Sequence, residues 1–278
     1  MLITSLQNPR IKTIVKLGSR RQRDVDRRTV VEGVKEVARC LDAGIVPLEA
    51  YVCPDLAADE TGAALVHRLV GMADQRLTQL FEVTPDVFAK IAYRGESGGL
   101  LLVIPYLDTP LDNLMTTRNT DHPPFFAVIE GVEKPGNLGA ILRTADAAGV
   151  DGLIVCPGER GGTDLHNPNV IRASLGTLFT VKVAQAESAT VLAWLRSHGI
   201  TALAATPDGE VPFTQADMTG PVAVAAGSEA FGLTDLWLNG AHQRVTIPMF
   251  GMADSLNLAT STALLLYEVV RQRDAKSS

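Results

Sequence analysis

From residue 125 onward one pattern repeats, and it narrows the fold more than any other feature. Short, continuously apolar runs alternate with stretches long enough to be helices. The runs read FFAVIEGV, DGLIVCP, TVKVA, ITALAATP, PVAVAAG and RVTIP. A strand with one wet face alternates apolar and polar residues, whereas a continuous run marks a strand covered on both faces. Regular alternation of such strands with helices predicts an α/β fold with a largely parallel sheet and helices on both sides. Ligands of these sheets bind beyond the carboxyl ends of the strands. The loops starting at Glu130, Cys156, Thr206, Gly227 and Pro248 therefore form the expected functional rim.

Residues 1–104 read as a separate, smaller α/β unit. A basic stretch from Asn8 to Arg28 leads into VVEGVKEVARCLDAG, whose spacing predicts an amphipathic helix stopped by Gly44. LEAYVC and GLLLVIP read as strands. Two proline-containing polar clusters, PYLDTPLDN and TTRNTDHPP, predict a linker over 105–122, which leaves 123–278 as the second domain.

Charge is distributed unevenly. The net value is −6, yet the first 40 residues hold ten Lys and Arg against four Asp and Glu. A basic segment on an acidic body is a localised electrostatic footprint, although a solvated helix surface has the same composition. Aromatic residues make up only 5%, which argues against base-stacking platforms as the main mode of nucleic-acid binding. Cys40, Cys53 and Cys156 form no C-x-x-C pair, and the five histidines are scattered, so no disulfide framework or metal site is expected. The opening MLITSLQNPRIK has no secretory pattern and no apolar run approaches a membrane span, so a cytoplasmic protein is expected.

Familiar nucleotide signatures are missing. The second domain has no G-x-G-x-x-G after its first strand, no G-K-[ST] loop and no G-x-S-x-G elbow, the nearest candidate being AGSEA. Three other rim segments carry polar residues in turns. In GVEKPGNLGAILRTADAAG, Pro135 and Gly136 make a turn, Asn137 is placed to cap the following helix, and Gly139 lies one helical turn before Arg143. The gap at Gly139 would leave room for a ligand beside the guanidinium, whose fork suits a phosphodiester. GSEAFGL is a glycine-rich turn carrying Glu229, and in MADSLNLAT Ser255 is placed to cap the last helix with Asn257 just inside it. Ordinary capped helices use the same residues; three such loops on one rim are harder to assign to capping alone.

These segments, N-L-G-A-I-L-R, G-S-E-A-F-G-L and I-P-M-F-G-M-A-D-S-L-N, resemble the three ordered motifs of the SpoU/TrmH family of ribose 2′-O-methyltransferases, within the SPOUT superfamily. The N-terminal ITSLQNPRIKTIVKLGSRRQR…VVEGVKEV resembles the ribosomal-protein-like substrate-binding domain that many members carry. The resemblance implies a catalytic domain with a deep trefoil knot, a homodimer, and methylation of an RNA ribose 2′-hydroxyl from S-adenosyl-L-methionine without a metal. It implies Arg143 as the catalytic arginine, with Asn137, Glu229, Ser255 and Asn257 orienting the nucleotide and the loops. Backbone groups of Gly227, Ile247, Leu256, Thr206 and Met249 would hold the cofactor. RNA would meet Arg10, Lys12, Lys16, Arg20, Arg21 and Arg23 of the N-terminal domain, with Lys134 as a further phosphate contact. An apolar stripe of Leu256, Ala259, Ala263, Leu266 and Val270 on the last helix, with Leu258 and Leu265 off it, fits a helix with more than one partner surface.

The sequence departs from the family pattern at Glu130 and Lys134, where many relatives have aspartates. The three-glycine loop at 158–164, with Arg160, fits a lid or a plain surface loop. Ribosomal RNA is favoured over transfer RNA on the likeness of the N-terminal domain alone. The rival expectation is an RNA-binding ribosome-assembly factor of the same fold without turnover; a nicotinamide-dependent oxidoreductase is disfavoured by the missing phosphate-binding glycines.

Overall fold

In the computed structural model, residues 1–93, 98–116, 122–158 and 161–277 are described. Arg160 and part of the expected linker lie outside them. The chain forms two compact units, Met1–Leu107 with Asp164–Thr180, and Asp108–Thr163 with Val181–Ser278.

The N-terminal unit runs β1 (Leu2–Ile3), α1 (Pro9–Lys16), α2 (Arg20–Asp26), β2 (Arg28–Glu32), α3 (Val34–Asp42), β3 (Glu49–Val52), α4 (Glu60–Asp74), β4 (Gln79–Val83), α5 (Pro85–Ile91) and β5 (Leu100–Pro105). Its sheet has the order β1-β4-β3-β5-β2. The pairs of β5 with β2 and β3 are antiparallel, and the others are parallel. Asn8 caps α1 by accepting from the Arg10 amide, and Pro9 sits at the first helical position, where its missing N–H is not needed. Ile11 and Ile14 of α1, with Leu17, pack on Val30, Tyr51, Phe81 and Val103 of the sheet. One expectation is corrected: the VVE of VVEGVKEV is the end of strand β2, and the helix begins only at Val34. Gly33 separates them at φ 105°, a conformation L side chains avoid.

The second unit continues with α6 (Asn113–Thr116), β6 (Phe125–Glu130), α7 (Pro135–Ala148) and β7 (Gly152–Cys156); α8 (Pro168–Ala173) belongs to the first unit; then follow β8 (Val183–Gln185), α9 (Ser188–Ser197), β9 (Thr201–Ala205), β10 (Val211–Pro212), β11 (Val222–Gly227), α10 (Asp235–Gly240), β12 (Gln243–Thr246) and α11 (Leu258–Ser277). Seven strands in the order β10-β12-β9-β11-β6-β7-β8 pair in parallel throughout, as the continuous apolar runs predict. Phe126, Val128, Ile154, Ala204 and Ala225 make one core with Leu195 and Trp237. Each large side chain fully buried there contributes roughly 1.5–3 kcal/mol. α11 packs on α7 and β11, an order consistent with the expected knot. Its fully covered face is Leu258, Leu265, Leu266 and Val269 with Thr262, so the expected stripe is displaced by part of a turn. Leu264 and Tyr267 of α11 are exposed. No helix among the described residues is long and apolar enough to cross a membrane.

A single cut between 104 and 123 does not describe this division, because Asp164–Thr180 lies in the N-terminal unit. Side chains of that unit hold the segment in place. Arg23 is 2% exposed; it donates to Asp164 at 2.9 Å and to the carbonyls of Leu17 and Gly18. Arg172 pairs with Glu32 at 3.1 Å, Arg39 donates to the Leu175 carbonyl, and Thr29 donates to that of His166. The His166 ring stacks on Tyr106 at 3.7 Å and accepts from the Leu107 amide at 2.9 Å. Arg23 is thereby corrected from an RNA contact to a buried structural cation.

Burial lowers the His166 pKa from 6.5 to about 4; Arg27 and Arg23 add to this, and Asp164 opposes it. A histidine that stays neutral in the fold while the unfolded chain protonates gives stability that is complete above pH 6.5 and lost as pH falls towards 4. The parent should lose about 3 kcal/mol more across that window than His166→Gln. Urea unfolding of both proteins at pH 7 and near pH 4 measures this; parallel losses would exclude the histidine as the cause.

Candidate active site

The rim of the parallel sheet is built by close approach of backbones. β6 ends at Glu130, and Gly131 follows at φ 69°, its amide donating to the Cys156 carbonyl at the end of β7. A Cβ on Gly158 would lie 2.7 Å from the Gly131 Cα, so the two loops touch main chain to main chain. β11 ends at Gly227, in register with Glu130. There the chain folds back: the Gly232 amide donates to the Ser228 carbonyl, and a Cβ on Gly227 would sit 2.0 Å from the Gly232 carbonyl carbon. β9 runs into a turn where a Cβ on Gly209 would come within 2.3 Å of the Val245 carbonyl carbon of β12. Side chains are excluded at these crossings, and the loops draw together.

Glu130 fixes the loop that carries Glu229. It is 3% exposed, and its carboxylate accepts from Ser188 Oγ at 2.5 Å, from the Thr234 amide at 2.7 Å and from Thr234 Oγ1 at 3.0 Å. Ser188 Oγ in turn accepts from Trp237 Nε1 at 3.0 Å. A buried carboxylate needs such donors to offset its desolvation.

Three of the expected polar residues meet. Glu229 Oε1 accepts from Asn137 Nδ2 at 2.6 Å and from Asn257 Nδ2 at 2.7 Å. Asn257 Nδ2 lies 3.2 Å from Asn137 Oδ1, and Lys134 Nζ lies 3.6 Å from Glu229 Oε2. The two capping assignments change. α7 begins at Pro135 with Lys134 in the cap position, so Asn137 is inside the first turn with its side chain free for Glu229. α11 is capped by Asn257, whose Oδ1 accepts from the Ala259 amide at 3.0 Å and whose carbonyl accepts from Ser261. Ser255 is exposed and makes no capping hydrogen bond among the described residues.

Arg143 is exposed on α7, about 9 Å along the axis from Asn137. No group among the described residues accepts from its guanidinium, so all five donors face outward. Gly139 is buried, and α7 closes on Gly149 at φ 67°. Lys134 and Glu229 nearly neutralise one another.

The expected cofactor residues divide into two groups. No backbone hydrogen bond among the described residues engages Ile247, Met249 or Leu256, so their main-chain groups are free for a ligand. Thr206 differs: its amide donates to Val245 and its carbonyl accepts from Gly209, leaving only a second lone pair. The Gly227 crossing and the unengaged backbone at 247–256 together fit an adenosine bound by main-chain groups. Sequence reasoning missed the role of Glu130 and the crossings at Gly158 and Gly209; isolated glycines after strands were the only signal for the latter.

In the N-terminal unit, Lys12, Lys16 and Arg21 are exposed. Arg20 is exposed and lies 3.6 Å from Asp24. Arg10 is half-exposed, bound to Glu49 at 2.6 Å and set over the Phe81 ring.

Comparison with known proteins finds matches to both parts of the chain. The model of the SpoU rRNA methylase family matches residues 124–267, and that of an MRM3-like substrate-binding domain matches residues 8–101. The 23S rRNA (guanosine-2′-O-)-methyltransferase RlmB of Pseudomonas syringae pv. tomato is 36% identical over 167 residues, 60% of this chain and 65% of that protein. The chain thus spans just under two thirds of that relative's length. A solved RNA 2′-O ribose methyltransferase is 38% identical with a TM-score of 0.79, over 98% of this chain and 99% of that one. An AdoMet-bound rRNA methyltransferase from Sinorhizobium meliloti is 29% identical with a TM-score of 0.85, over 98% and 97% of the two chains. With more than half its length matched by the family model and its three motif loops converging at one carboxylate, the chain belongs to the SpoU rRNA methylase family.

Proposed function

We propose that this protein methylates a ribose 2′-hydroxyl of RNA with S-adenosyl-L-methionine, and that its substrate is ribosomal RNA. The observation that carries the reading is the meeting of Asn137, Glu229 and Asn257, one from each motif loop, on the sheet rim, with Arg143 further along the helix that carries Asn137. Ribosomal RNA is supported by the relatives, since the P. syringae protein acts on 23S rRNA and the S. meliloti structure is of an rRNA methyltransferase. A cytoplasmic location and a homodimer belong to the same reading. For the dimer, support comes from exposed Phe231, Phe250, Met252, Leu264 and Tyr267, all on the catalytic unit.

The cofactor supplies a methyl group already activated on a sulfonium, so no metal is required. The main chain at Gly227, Ile247, Met249 and Leu256 holds its adenosine, with Thr206 offering one acceptor. Arg143 grips the phosphate beside the target ribose through two parallel hydrogen bonds and stabilises charge developing on the 2′-oxygen. A guanidinium has five donors and no acceptor, so the role is anchoring and electrostatic assistance. Asn137 and Asn257, held by Glu229, keep the loops of α7 and α11 in register. Ser255, exposed beside them, contacts the nucleotide. Lys134 cancels the Glu229 charge, so the incoming phosphate meets no net repulsion. With cofactor held there, the ribose oxygen would lie in line with its methyl group, so that the S–C bond breaks as the O–C bond forms, S-adenosylhomocysteine leaves and the hydroxyl proton passes to solvent. Lys12, Lys16 and Arg21, with Arg20 and Arg10, supply the affinity of the N-terminal unit for RNA.

Methyl transfer from radiolabelled S-adenosylmethionine to unmodified rRNA tests the reading, with Arg143→Ala as the dead control. Arg143→Lys should lose at least tenfold in kcat/KM while still binding cofactor, because the charge stays and the fork is lost. Near-normal turnover would remove the arginine from the chemistry. Gly227→Ala should abolish cofactor protection against thermal unfolding, since its Cβ would displace the Gly232 main chain. Retained protection would place the adenosine elsewhere. RNA affinity should fall with salt by about 0.7–0.9 in log–log slope per phosphate neutralised; a salt-independent complex would exclude the basic N-terminal contacts.

A further inference from the structure

Away from the sheet rim, the N-terminal unit contains a cavity of about 230 Å³. Its inner side is apolar: Ile14, Leu17 and Val103 are each at most 3% exposed. Its polar lining is Arg10, Thr13, Arg28 and Glu49, of which Thr13 and Arg28 are exposed. Thr13 follows Arg10 by three residues and precedes Leu17 by four, so α1 presents all three to the same space. Arg28 opens β2 and alternates with Val30, which packs against Ile14 and Leu17, so its side chain leaves the sheet on the α1 side.

The electrostatics select the ligand. Arg10 is already held by Glu49, and the second Glu49 oxygen accepts from Tyr51 Oη at 2.5 Å, so that pair is neutral and satisfied. Arg28 is exposed and finds no acceptor among the described residues. The cavity therefore joins one uncompensated guanidinium to an apolar wall, with Lys12 and Lys16 exposed on the same helix. A simple inorganic anion has no use for the apolar side. A drug-sized ligand needs roughly 300–1,000 Å³, more than is present. One planar ring with an adjoining phosphate suits both parts. RNA offers this wherever a base is splayed from its stack, the state in which RNA sequence is usually read.

We propose that this cavity receives a single unpaired nucleotide of the RNA substrate, its base against Ile14, Leu17 and Val103 and its phosphate on Arg28. The proposal rests on the RNA-methylating reading and adds a recognition point within the N-terminal unit. It differs from a diffuse basic patch, because a cavity can be filled without changing charge.

The experiment is filter binding of in-vitro-transcribed 23S rRNA to the full-length parent, Thr13→Trp and Arg28→Ala over a salt series, with thermal protection by S-adenosylmethionine measured alongside. Thr13 is exposed, so the indole fills the cavity from its mouth. Thr13→Trp should weaken RNA binding about tenfold with an unchanged salt slope, the size of one lost base contact. Arg28→Ala should weaken binding and reduce the slope by about 0.7–0.9. Cofactor protection should be the same in all three. Parent-like RNA affinity in a folded Thr13→Trp overturns the proposal, and should that variant fail to fold, parent-like affinity in Arg28→Ala does so. A parent that binds neither RNA nor cofactor overturns the enzyme reading itself.

Discussion

The catalytic unit depends on backbones touching where side chains would ordinarily keep them apart. Gly131 against Gly158, Gly209 against Val245 and Gly227 against Gly232 are contacts in which a single added carbon would come within 3 Å of a neighbouring main chain. They lie at the ends of β6, β7, β9 and β11, strands that pair in parallel and so deliver their loops to one edge. Everything polar at the site follows. Glu229 reaches Asn137 and Asn257 only because its loop folds back tightly at Gly227 and because Glu130 pins the far end of that loop at Thr234.

The two glutamates show how position decides what a carboxylate does. Glu130 is enclosed and surrounded by hydroxyl and amide donors, so it acts as a strut whose charge is offset locally. Glu229 lies at the surface end of the neighbouring strand, and its partners come from two other loops, Lys134 and Asn137 from one and Asn257 from the other. Removing one donor from Glu130 would leave a buried charge short of a partner, at about 1–3 kcal/mol, whereas Glu229 could recruit water in its place.

Much of this was legible in the sequence, and the failures have a common cause. The parallel sheet was readable because burial on both faces leaves uninterrupted apolar runs, a local signal. The convergence of the three loops was readable through their likeness to known motifs. The capping assignments failed because asparagine and serine cap helices and bridge loops with the same atoms, and which they do depends on where the helix starts. Asn137 is inside its helix by only two residues, and Asn257 outside its own by one. Arg23 was misread because its partner Asp164 lies 141 positions away, so composition alone placed a buried cation among surface ones. The attachment of Asp164–Thr180 to the N-terminal unit is invisible for the same reason: its anchors, Arg39, Glu32 and Tyr106, are all remote in sequence.

That distinction between engaged and free cations carries into the chemistry. Of the basic groups on the catalytic unit, Lys134 is drawn to Glu229, and Arg273, at the sheet edge opposite the catalytic loops, donates to the carbonyls of Pro123, Pro124 and Gly220. Arg143 alone among those three is committed to nothing among the described residues. Holding a guanidinium exposed and unpaired gains the isolated protein nothing in stability. On the proposed reaction the gain comes when a phosphate arrives, because the donors need not be released from an internal partner first. A preorganised donor of this kind lowers a barrier by standing in place before charge develops, which an arginine tied into an internal ion pair could not do.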